Sequence, residues 1–114
     1  MKIVSDDSRI VDELFDQLDI EGFDDIEKKK FKTDDSSDER PMGGWESYLA
    51  MGANAATIMV FLIPYIKKNY PNWDIHFQSL FSNKYETTLE KYEQMSDNAK
   101  KAVHEKFDVV IKKK

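Results

Sequence analysis

The sequence predicts an α+β fold: a small mixed β-sheet of about four strands, in the order β-α-β-α-β-β-α, with helices packed on one face. Three observations carry this prediction. Ile10, Val11, Leu14, Phe15 and Leu18 fall on one stripe of a helix. Trp73, Ile75 and Phe77 alternate with Asp74, His76 and Gln78, the period of a half-buried strand. Residues 49–66, LAMGANAATIMVFLIPYI, run eighteen positions without a charge in a chain that is 34% charged. An element with no polar side must be covered on more than one face.

The elements follow in chain order. Residues 2–5, KIVS, predict a first strand. Asp7 or Ser8 can cap the helix that follows, with Asp12 and Glu13 in its opening turns, where the helix dipole favours acids. After the loop LDIEGFDD, residues 26–33 predict a strand near a sheet edge, because lysines on an edge deter unwanted pairing. DDSSDERPMGG has almost nothing to bury and is expected to form a mobile acidic loop at about 34–44. Trp45 to Lys68 then predicts one long helix, kinked or ended near Phe61–Leu62 by Pro64 or tolerating it as a bend before IKKN.

Eighteen helical residues reach about 27 Å, marginally enough to span a bilayer. Five Ala or Gly between 50 and 56, with Asn54 among them, suit the close approach of another backbone better than lipid. A buried central helix is therefore expected and no membrane span. Residues 73–91 predict a β-hairpin with SNK as its turn and Tyr85, Thr87 and Leu89 on one face of the return strand. The remaining residues predict a helix capped by Ser96. Its apolar stripe is Ala99, Ala102, Val103, Phe107, Val110 and Ile111, and its C-terminal lysines are 112–114.

The chain of 114 residues predicts a single domain over 1–114, large enough for a core without staples. It has no cysteine, which excludes disulfides and thiolate metal sites. The opening MKIVSDDSRIV has no apolar run after its lysine, so no secretory signal is expected there and a cytoplasmic setting is. Residues 1–40 carry seven Lys/Arg against fourteen Asp/Glu, leaving −7 there and +2 in the rest of a chain whose total is −5. That balance disfavours nucleic acid as a partner.

No catalytic, cofactor or metal motif emerges. His76 and His104 stand in no metal-ligand spacing and are expected to be exposed and structural. Asp34, Asp35, Asp38 and Glu39 lack the ligand spacing and closing Glu of a calcium loop. Gly43-Gly44 has no Lys-Ser/Thr after it, and Glu46 would repel phosphate. The serines have no nucleophile elbow. Trp45 and Trp73 are expected as core or rim anchors.

The stretch PMGGWESYLAMGANAATIMVFLIPYIKKNYPNWDIHF resembles the bacterial effector-associated constant component domains. In those domains a Met-Gly motif opens an Ala/Gly-rich apolar helix, which ends in basic residues, a Pro-Asp/Asn step and a β-hairpin. Here Met42, Gly43, the Ala-rich 50–56 segment, Lys67-Lys68 and Pro71-Asn72 fill those places in order. The opening KIVSDDSRIVDELFDQL is similar to the family's first strand and helix. Asn54, Pro64 and the acidic DDSSDE insert depart from the pattern. The resemblance implies a small non-catalytic adaptor that couples a bacterial conflict-system effector to its trigger.

The expected function is thus a protein–protein interaction module of a bacterial conflict or defence system, with an effector as its partner. The alternative is a small acidic inhibitor or immunity-type protein that binds a basic toxin or nuclease surface, since complementary potential speeds association. Partner binding is expected at Asp34, Asp35, Asp38, Glu39, Met42 and Trp45, where charge for steering lies beside an aromatic anchor. Two points stay open at the level of sequence: the oligomeric state, and whether the 49–66 helix is wholly buried in one chain or shared with a partner.

Overall fold

The computed structural model describes residues 1–30, 47–52, 54–79 and 86–114. Among them the elements are β1 (Lys2–Ser5), α1 (Ser8–Ile20), β2 (Ile26–Lys30), β3 (Ser47–Met51), α2 (Ala55–Asn69), β4 (Trp73–Gln78), β5 (Glu86–Thr88), α3 (Leu89–Glu93), α4 (Asp97–Lys106) and β6 (Asp108–Lys113). The fold is α+β with an open mixed sheet in the order β2-β3-β1-β6-β4-β5. β1 and β6 run parallel, with Ile3 opposite Val109 and Val4 opposite Val110. Every other neighbouring pair is antiparallel.

Alternation along the strands sorts the residues by face. Ile3, Leu49, Ile75, Phe77, Val109 and Ile111 join one core cluster with Ile10, Val11, Leu14 and Leu18 of α1, Ile58, Met59, Leu62 and Ile66 of α2, Tyr92 of α3 and Val103 of α4. All four helices thus pack on one face, as the sequence predicts. Val4 and Val110 point the other way and pack with Tyr48. α1 carries its predicted stripe. The Asp7 side chain accepts a hydrogen bond from the Arg9 backbone N–H at 3.0 Å and caps it. At the other end Gly22 takes φ +89, which only glycine adopts without strain. The Phe23 N–H then donates to the Leu18 carbonyl and the Gly22 N–H to the Asp19 carbonyl, closing the helix with paired end bonds.

Four expectations are corrected. The sheet has six strands among the described residues, not about four. The uncharged stretch is not one helix: Ser47–Met51 is a strand between β2 and β1, and the helix begins at Ala55. Leu49 and Met51 are buried there while Tyr48 and Ala50 face outward, a period-two alternation that the alanines and methionines masked. Gly52 makes the exit, since a Cβ there would collide with the Asp25 carboxylate. Of the outcomes open at the level of sequence for Pro64, the tolerated one holds: α2 continues through it to Asn69.

The predicted hairpin does pair, β4 with β5, but the return strand is only Glu86–Thr88 and the chain turns helical at Leu89. The final helix stops at Lys106, and Asp108–Lys113 forms a central strand. Val109, Val110 and Ile111 are each fully buried in succession. Three consecutive buried β-branched residues mark a strand covered on both faces, not a helix with one apolar stripe. The predicted strand at 26–33 is confirmed over Ile26–Lys30, and it does lie at the sheet edge.

Two outcomes follow. Ile111→Ala empties space at the centre of the sheet and should cost about 2–5 kcal/mol in urea unfolding. A loss below about 1 kcal/mol would contradict a central β6. Pro64→Ala restores a backbone donor to the Val60 carbonyl and should raise stability by about 1–3 kcal/mol, whereas a lowered unfolding midpoint would contradict it.

Candidate interaction groove

α2 carries no charged residue before its last turn. Ala55, Ile58, Met59, Leu62 and Ile66 are buried against the sheet and its neighbours. A regular helix must present the intervening positions outward, and apart from Thr57 those before Lys67 are mostly apolar. Ala56, Val60 and Pro64 recur every four residues and are exposed. Val60 is 77% exposed. The first charges, Lys67 and Lys68, come only in the last turn, where they complement the helix dipole.

The second wall comes from the segment after β5. The Thr88 side chain accepts a hydrogen bond from the Lys91 N–H at 3.3 Å and opens α3. That single turn drives Tyr92 into the core, where its ring stacks on Phe77 with centroids 4.4 Å apart. Ser96 then caps α4, accepting from the Ala99 N–H at 3.3 Å, as its sequence position predicts. α4 lays His104 beside Tyr92, with the hydroxyl and Nε2 2.6 Å apart. The Lys100 ammonium lies 5.4 Å from the Tyr92 ring centre, a cation–π contact.

Between the two walls lies a groove of about 780 Å³. Ala55, Ala56, Met59, Val60 and Ile63 form its apolar side. Tyr92, Lys100, Lys101, His104 and Glu105 form the other. Its size and mostly apolar lining fall in the range of binding clefts. Glu93, also on the lining, is paired with Lys67 at 2.8 Å. Burial lowers the His104 pKa, helped by the nearby N-terminal amino group and Lys100. Burial raises that of Tyr92. The neutral imidazole therefore belongs to the folded state, and His104 is half-buried rather than exposed as the sequence suggested.

A smaller cavity of about 410 Å³ lies between the end of α2 and β4, lined among others by Trp73, Asp74, His76 and Glu90. Asp74 is paired with Lys114 at 3.8 Å. Among the described residues no three His, Asp or Glu side chains gather closely enough to hold a metal ion. No helix among them is long and apolar enough to cross a membrane. The residues expected to bind a partner, Asp34, Asp35, Asp38, Glu39, Met42 and Trp45, lie outside the described residues, as does the acidic loop at about 34–44. Tyr92 and the outward stripe of α2 were not singled out from sequence. The Leu89-to-Tyr92 spacing of three was the available sign of a helical turn there, and the missing charges of 55–66 were the sign of the stripe. No protein-family description, curated protein or solved structure matches the chain.

The lowered His104 pKa sets a pH dependence. Below the ordinary histidine value of about 6.5 the unfolded chain binds a proton that the folded chain resists. The contribution of His104 is therefore fully present above that value and is lost as pH falls through the depressed folded value. Thermal unfolding between about pH 7 and pH 5 should show a steeper acid loss for the natural chain than for His104→Gln. Identical profiles would contradict the buried, neutral imidazole.

Proposed function

We propose that this chain is a non-catalytic protein-interaction module, and that its docking surface is the outer face of α2 with the groove beside it. One observation carries the reading: a helix of a small, highly charged chain keeps an unbroken apolar stripe on its solvent side, with Val60 at its centre. Contiguous apolar surface of this kind marks sites of association. A groove between two helices suits an amphipathic helix that presents apolar residues three and four apart. The polar pairs at the groove, Tyr92–His104 and Lys67–Glu93, are satisfied by one another, which supports binding rather than bond-making. An adaptor in a bacterial conflict system, coupling an effector to its trigger, is the role in which we place the module.

A second reading rests on α1. Its outward face carries Asp12, Asp16 and Asp19, all exposed. Such a face would steer the chain to a basic toxin or nuclease surface, and binding would weaken with salt.

The two readings separate by mutation. Val60→Asp should weaken capture of an effector-type protein by roughly tenfold or more, because an apolar anchor becomes a buried charge. Asp16→Lys together with Asp19→Lys should leave that capture intact. If the acidic variants lose the partner and Val60→Asp keeps it, the inhibitor reading replaces the adaptor. A partner held equally by all the variants contradicts both.

A further inference from the structure

Among the helices longer than one turn, α4 has the least to hold it. α1 buries four apolar side chains and α2 buries five. α4 buries one of its ten residues, Val103. Much of its flank toward α2 is groove instead of packed side chains. Its two ends leave the helical conformation at single residues. Ser96 and Phe107 are extended, and β6 starts directly after Phe107. Met95 and Phe107 pack on the core at those ends. A unit with one buried anchor between extended joints opens at a lower free energy than the sheet it rests on.

Between the joints α4 is fixed by Tyr92. The Tyr92 ring is buried and stacked on Phe77, so it belongs to the core. Its hydroxyl meets His104 Nε2 at 2.6 Å, and the Lys100 ammonium lies over its ring. His104 and Lys100 are one turn apart on α4, and both contacts end on this one side chain. The surroundings of the imidazole oppose a second proton on it. Burial strips water from the ring, and the N-terminal amino group of Met1 and Lys100 both act on it as positive charges. Glu93, on the α3 side of the groove, is already paired with Lys67 of α2. On α4 itself Lys101 and Glu105 are exposed and of opposite sign, and Asp97 lies back in the first turn. A protonated ring can only donate, so the Tyr92 hydroxyl would have to turn and accept.

We propose that α4 is a releasable cover over the groove, latched by the Tyr92–His104 pair, and that protonation of the imidazole frees it while the sheet stays folded. Release widens the groove and uncovers Met59 and Tyr92, both buried in the closed form. The latch is fully set above the ordinary histidine value of about 6.5 and weakens as pH falls through the lower value of the folded chain. The device is a property of the chain alone and holds whatever docks on α2.

The test is amide hydrogen exchange of the full chain by NMR at pH 7 and pH 5, with each rate set against that of the same amide in an unfolded chain. A ten-residue helix off its support is marginal in water, so release reads as lost protection over Asp97–Lys106. At pH 7 protection in α4 should lie roughly tenfold or more below that in β6, the sign of separate opening. From pH 7 to pH 5 it should fall by roughly threefold or more, with β6 still protected. Tyr92→Phe keeps the ring on Phe77 and removes only the hydroxyl, and it should lower α4 protection at pH 7 by roughly threefold or more. His104→Gln should abolish the fall with pH. Equal protection in α4 and β6 overturns the inference, because the opening is then global. A fall that is absent, or that persists in full in His104→Gln, overturns it too. A second measurement leaves the latch untouched. The chain has no cysteine, so nitroxides on Ala56→Cys and Lys101→Cys, both exposed positions, report the α2–α4 distance alone. One distance at pH 7 and an added, longer one at pH 5 supports release, whereas a single unchanged distance at both overturns it.

Discussion

The parallel pairing of β1 with β6 is the contact on which the rest of the structure depends. It joins the first strand to the last, so the sheet cannot form until the whole chain is in place. The pairing is locked at one end by the Asp108 side chain, which accepts a hydrogen bond from the Lys2 N–H at 2.8 Å. Burial raises the Asp108 pKa, and that hydrogen bond works against the rise. β6 also pairs with β4 over six residues, from Trp73 with Lys113 to Gln78 with Asp108. One strand thus ties the α1 half of the sheet to the hairpin half. Such non-local pairing is slow to form, because the chain closes a long loop before any contact stabilises it.

A sheet built this way has one face to give to helices, and four of them share it. α1 has a clean apolar stripe that the sheet consumes. α4 buries Val103, half-buries Ala99, Lys100 and His104, and turns the rest to water. α2 differs: it carries no charge until Lys67 and only Thr57 as an exposed hydroxyl before it, yet the sheet and its neighbours can cover only part of its circumference. The surplus appears as the Ala56–Val60–Pro64 stripe and as the groove toward α4. The fold therefore does not absorb the uncharged stretch completely, and this excess links packing to the proposed role. The edges of the sheet point the same way. β2 carries Lys28, Lys29 and Lys30, and β5 is three residues long. Both features discourage strand addition, leaving the helix layer as the face suited to association.

Much of this architecture was legible in the sequence where a period was long enough to count. α1, its Asp7 cap, the β4–β5 pairing and the Ser96 cap all follow from local patterns. β3 and β6 did not. SYLAM is five residues long, too short for its alternation to outweigh the Ala-rich run that follows it. In β6 the spacing of Val103, Phe107, Val110 and Ile111 imitates a helical stripe across a boundary at Phe107, and the strand's partners lie at the far end of the chain. Of the site, the missing charges were visible but not the side of α2 left open, because that depends on how many neighbours the sheet assembles. His104 was visible as a residue, but its burial beside Tyr92 depends on the short α3 turn.

The central claim is that the outer stripe of α2 is bare in the isolated chain and covered when the chain does its work. Methyl NMR with a water-soluble nitroxide measures this directly. Val60 and Ile20 are the two large apolar side chains most exposed among the described residues, at 77% and 75%. In dilute solution both sets of methyls should relax strongly. When the chain is bound to its partner, the Val60 methyls should become shielded from the nitroxide. Val60 methyls that relax as strongly in the associated state as in the dilute one would contradict the account.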